Sequence, residues 1–195
     1  MATTIIRDGT SGIAIVDPYY MRDIVLRTPH GYRAAVNYLK GFLQTYSDKA
    51  TILMPYHPES DSGRQHCVLI CLDVRESRTW YLDSGSKHPP PKNYDIVKKV
   101  LDAALTGYAK AGGVIKREVK KFGMHKFSHK TEFWCVKQAE DTTKDAFYAL
   151  YHMKGIVLDS HNSTLPKEDQ DLEVWAQERW EKTEGSNIRQ AFFHI

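Results

Sequence analysis

The chain has 195 residues with 27 Lys and Arg, 24 Asp and Glu and 42% hydrophobic residues, enough for a single domain, 1–195, with a real core. Basic and acidic residues are mixed along it, and a net charge of +3 argues against a general attraction to nucleic acid. Three cysteines, Cys67, Cys71 and Cys135, lack zinc-ligand spacing; they argue against a disulfide framework and point to a reducing compartment. No apolar run reaches the length of a membrane span, and MATTIIRDG at the start lacks the apolar segment of a secretory signal, so the expected setting is cytoplasmic or nuclear.

In chain order, SGIAIVDPYYM (Ser11 to Met21) is a short apolar run ended by Asp17-Pro18, where proline's missing amide stops a strand or opens a helical turn. Ala35, Val36, Leu39, Phe42 and Leu43 recur at helical spacing between Tyr32 and Tyr46, which predicts one amphipathic helix. Thr51 to Pro55 reads as a buried strand. A polar loop, HPESDSGRQ, leads to HCVLICLD (His66 to Asp73), and TWYLDSG (Thr79 to Gly85) returns across the VRESR turn as the partner of a hairpin.

PPPKN (Pro89 to Asn93) is a stiff connector. Ile96, Val97, Val100, Leu101, Ala104, Leu105 and Tyr108 then mark a second helix, stopped by Gly112-Gly113. Val114 to Phe122, which holds the one basic cluster, VIKREVKK, is read as a strand, the lysines forming a solvated face, and Phe133 to Lys137 as another. Ser163-Thr164 with Pro166 announces a helix that carries Leu172, Trp175, Ala176 and Trp180 on one side, and Ile188 to Ile195 closes the chain with a helical turn or two. The order helix, strands, helix, strands, helices describes an α+β domain with helices around a mixed sheet.

The organising stretch is Trp134 to Val157. Phe147, Leu150, Tyr151 and Ile156, with Ala146, Ala149 and Met153 between them, make a helix apolar on nearly all sides, which is expected to lie inside the fold. The loop before it carries Gln138 and ends in Thr142, Thr143, Lys144 and Asp145, residues suited to capping a helix start whose exposed amides favour an anion. Elsewhere, His66 opens one hairpin strand and Asp83 ends the other, so antiparallel pairing brings them together. A carboxylate that holds an imidazole in one tautomer is the supporting half of a nucleophile-activating triad.

HCVLICLD, WYLDS, the VKQ segment, the FYALYHM helix and the LMPY before the histidine strand together resemble the ubiquitin-like-protein-specific cysteine proteases, the family of SUMO-deconjugating enzymes and their plant transposon-derived relatives. The resemblance runs from about Ile13 onward. It implies a papain-like or adenovirus-protease-like cysteine protease fold, with His66 as general base, Asp83 as the acid that orients it and Gln138 lining the oxyanion hole; the separation of 17 positions from His66 to Asp83 matches the family's gap. At the nucleophile the pattern departs. Anchoring on Phe147-Tyr148 puts Asp145 in the cysteine's place, and aligning on the family's aspartate puts Ala146 there. Neither supplies a thiol. Cys67 also stands where the family has the tryptophan that covers the tunnel for a Gly-Gly tail.

The other thiols do not fill the gap on this reading: Cys135 precedes the oxyanion loop, Cys67 points to the sheet face opposite His66, and Cys71 alternates with Cys67 into the core. A metal set of His66, Asp83 and Asp145 matches no recognised pattern. The resemblance therefore implies a catalytically inactive homologue, a pseudo-protease acting through protein binding, without cofactor or metal, whose partner is a ubiquitin-like modifier or a protein bearing one. Two alternatives stand beside it: a genuine cysteine isopeptidase for such modifiers whose nucleophile has been replaced, and an adaptor domain that binds an unrelated protein on the Trp175/Trp180 helix.

Overall fold

Five strands form the central sheet of the computed structural model, in the order β1-β2-β3-β4-β7. They are β1 (Ile13–Ile15), β2 (Thr51–Tyr56), β3 (Val68–Asp73), β4 (Arg78–Leu82) and β7 (Ser128–Lys130). The structure describes residues 12–58, 66–85, 94–117, 119–132, 135 and 145–159. Strands β2, β3 and β4 pair antiparallel, whereas β1 joins β2 and β7 joins β4 in parallel, which makes the sheet mixed. A separate two-stranded hairpin consists of β5 (Lys120–Lys121) and β6 (Met124–His125).

Strands β2 and β3 read as continuous apolar runs because both sheet faces are covered. Val68, Ile70 and Leu72 point to one face, where they pack with Met54 against α2 (Pro29–Thr45) and α3 (Asp95–Lys110) through Leu39, Leu43, Val97, Val100 and Leu101. Leu69 and Cys71 point to the other, where Ala149, Met153 and Ile156 of α4 (Asp145–Asp159) close over them. The alternation is the period of two of a pleated strand.

Helix α2 starts at Pro29, three residues before the Tyr32 at which the apolar spacing begins it, because its cap sets the start. Thr28 accepts the Gly31 amide at 3.0 Å and Pro29 takes the first helical position. Gly31 is required by the tight passage from the four-residue helix α1 (Asp23–Leu26): a Cβ there would lie 2.0 Å from the Val25 carbonyl oxygen.

Three expectations change. Val114 to Phe122 is not one strand: among its described residues only Lys120–Lys121 forms a strand, in the β5-β6 hairpin that turns at Phe122 and Gly123 with φ of 51° and 74°. Strand β7 is absent from the sequence reading, since Ser-His-Lys has neither apolar alternation nor β-branched residues to announce it. Helix α4 is buried on one side, with Phe147 47% and Leu150 48% exposed, so its apolar sequence does not make it an enclosed helix. The expected helices at 163–180 and 188–195, the 89–93 connector and four positions of the 133–137 strand lie outside the described residues.

Candidate functional site

His66 sits just before β3 and Asp83 just after β4, and the register that pairs Leu69 with Leu82 turns both residues to the same end of the hairpin. His66 Nε2 lies 2.7 Å from Asp83 Oδ1, and each side chain is only 11% exposed. A carboxylate accepts, so the shared proton belongs to Nε2 and the neutral ring keeps its lone pair at Nδ1. The pair is held from both sides. The His57 ring donates from Nδ1 to the His66 carbonyl at 3.1 Å, while the Gly85 amide donates to Asp83 Oδ1 at 2.9 Å.

The second carboxylate oxygen is held by a residue that the sequence reading misses. Tyr94, the residue that caps α3, donates its hydroxyl to Asp83 Oδ2 at 2.6 Å. Burial, and then the Asp83 charge, push the Tyr94 phenol far above the ordinary tyrosine range, so it stays a donor. Its ring lies 4.9 Å from Tyr81 and 6.2 Å from Tyr56 between centroids. Tyr56 in turn donates to Asp23, which also binds Arg27 at 3.0 Å. A lone tyrosine after a proline-rich connector carries no local signal, since its role depends on where α3 docks.

No protein-family model matches the sequence, and no curated protein sequence does. The chain is similar to SUMO proteases of known structure. SUMO protease Ulp1 with its catalytic cysteine oxidised to a sulfonic acid aligns over 90% of this chain and 70% of that one, at 15% identity and a TM-score of 0.49. The C-terminal Ulp1 protease domain in complex with Smt3, the yeast ortholog of SUMO, aligns over 90% and 69%, at 15% identity and a TM-score of 0.48. A mutant of Xanthomonas XopD aligns over 84% and 80%, at 12% identity and a TM-score of 0.47.

Asp145 opens α4 and Ala146 is exposed in its first turn; Gln138 lies outside the described residues. Cys67 and Cys71 are buried in the layer between sheet and α4, and burial pushes the Cys71 thiol far up. Cys135 belongs to the same layer, 2% exposed, and its thiol donates to the Asp83 carbonyl at 3.1 Å. Among the described residues no group of three or more His, Cys, Asp or Glu is placed to hold a metal ion.

A second histidine–carboxylate pair occupies the far side of β4. His129 Nε2 is 3.2 Å from Asp102 Oδ1, and its Nδ1 is 2.9 Å from both the Thr79 and the Tyr81 hydroxyl oxygens. This copies the connectivity of a hydroxyl triad, yet Thr79 and Tyr81 are fully buried and no substrate reaches them. The group fastens β7 to β4 and α3.

Proposed function

We propose that this chain is an inactive homologue of the ubiquitin-like-protein-specific cysteine proteases, a pseudo-protease that acts by binding protein. The observation that carries the reading is the His66–Asp83 pair at 2.7 Å, kept in a chain whose α4 opens with Asp145 and Ala146 where the resemblance wants a thiol. An imidazole held with its lone pair at Nδ1 is a competent proton acceptor, but a carboxylate in place of a thiolate attacks an amide poorly, and removal of a triad nucleophile costs on the order of 10⁶ in rate. A position no longer needed for attack can hold aspartate, whose charge suits the first turn of a helix. The partner class is the one that the sequence resemblance implies: a ubiquitin-like modifier or a protein that carries one.

A second reading, an active thiol peptidase that uses Cys135, has one observation in its favour, the 3.1 Å contact between that thiol and the Asp83 carbonyl. Against it stands 2% exposure, which keeps substrate away. One set of assays separates the two. The purified chain is expected to release no fluorophore from a modifier with a fluorogenic leaving group, and to bind labelled modifier saturably in a titration. Turnover that Cys135→Ala abolishes overturns the inactive reading, and no saturable binding at high micromolar concentration overturns the modifier as partner. Asp145→Cys and Ala146→Cys are each to be tested for alkylation that depends on His66; a gain in one of them locates the vacated nucleophile position.

A further inference from the structure

The modest net charge conceals an uneven distribution. Residues 110–130 hold seven Lys and Arg against the single Glu118, a net of +6, so with +3 overall the rest of the chain sums to −3. At the centre of this segment the β5-β6 hairpin displays Phe122 with 89% of its surface exposed, beside Met124 at 46%. The hairpin is not a loose loop: Thr106 of α3 donates to the His125 carbonyl at 3.0 Å, and the Lys126 amide closes back on the Val119 carbonyl at 2.8 Å. Phe122 also takes a φ of 51°, a left-handed conformation that an aromatic residue adopts at a cost and that asparagine or glycine accepts readily. Strain and exposure at one position are a reason to look for a ligand.

We propose that this hairpin tip binds single-stranded nucleic acid, with a base stacked on Phe122 and the neighbouring phosphate held by Lys121. Stacking on an exposed ring within a basic surface is the usual way to hold a strand without reading its sequence. Lys121 already stands with its ammonium 5.7 Å from the Phe122 ring centre, so charge and ring act on the same nucleotide. An anionic membrane would be attracted by the same positive charge. The apolar part of the tip is too small for it, because even a whole myristoyl chain anchors only marginally, and one phenyl ring with half a methionine inserts less. The proposal is independent of the protease resemblance.

The test is fluorescence anisotropy of a labelled 20-nucleotide oligo(dT) with the full chain at low and moderate salt. Binding is expected at low salt and is expected to weaken steeply as salt rises. Phe122→Asn, which suits the backbone and removes the ring, is expected to lower affinity about 5- to 100-fold with little change in salt dependence. Phe122→Tyr is expected to restore it. Lys121→Gln is expected to flatten the salt dependence. Absence of binding at low salt, binding indifferent to both sets of variants, or capture by phosphatidylserine vesicles without capture of the oligonucleotide each overturns the proposal.

Discussion

Tyr94 reaches from the start of α3 to Asp83 at the end of β4 and donates to its Oδ2 at 2.6 Å, while His66 holds Oδ1. The carboxylate is thereby clamped between a helix and a strand end, and its orientation of the imidazole depends on a residue outside the hairpin. Tyr94→Phe keeps the ring packing against Tyr81 and removes one donor from a buried carboxylate. The expected loss is about 1–3 kcal/mol, read as a lower urea midpoint at neutral pH. His66→Ala removes one of the two donors on the other oxygen, the Gly85 amide being the second, and because both variants act on one carboxylate the double variant is expected to be non-additive.

Tyr56, Tyr81 and Tyr94 all have phenols raised by burial first, and then by a carboxylate: Asp23, Asp102 and Asp83 in turn. The folded state holds these protons more tightly than the unfolded chain does. Their contribution to stability is therefore fully present below the unfolded tyrosine pKa of about 10 and is lost as pH rises beyond it. Stability is expected to be level at mildly alkaline pH and to fall above about pH 10, with the last part of the tyrosinate absorbance appearing together with unfolding. Ionisation of all eleven tyrosines before the fold is lost would contradict the buried network.

Asp73 at the end of β3 has its carboxyl raised above the usual range by burial, against the lowering effect of the backbone amides of Glu76 and Arg75. A raised folded pKa favours the protonated form, so the contribution is fully present below about 3.9 and is lost as pH rises through the folded value. Asp73→Asn keeps an acceptor for the Glu76 amide, 3.0 Å away, and carries no charge. The variant is expected to raise the thermal midpoint at neutral pH, with the advantage vanishing near pH 3, roughly below the carboxylate range.

The β2-β3-β4 meander and helices α2 and α3 are legible in the sequence because each carries its own period: continuous apolar strands, and Ala35, Leu39, Leu43 or Val97, Val100, Leu101 on one helical face. The convergence of His66 and Asp83 follows from the same pattern, since a short hairpin returns one strand end to the start of the other. What escapes is whatever long-range packing decides. Tyr94 meets Asp83 only because α3 docks on the sheet, and His129 enters the sheet through a three-residue strand whose partners are Thr79, Tyr81 and Asp102. The basic segment misleads for a local reason: Phe122-Gly123 turns it into a hairpin where its composition suggests one strand.

Helix α4 tests whether composition or packing decides burial. Its sequence offers apolar residues on nearly every side, yet Ala149, Met153 and Ile156 face the sheet while Leu150 is 48% exposed. Met153, 8% exposed, belongs to the cluster that contains Leu69, Cys71 and Trp80. Met153→Ala leaves a cavity there, and a loss of about 2–5 kcal/mol is expected. Leu150→Gln alters a side chain already in contact with water, with a change expected within about 0.5 kcal/mol. Both are read by urea denaturation of the full chain. Equal and large losses from the two variants would mean that α4 is enclosed on both sides, and the sheet would then cover only part of the surface that this helix buries.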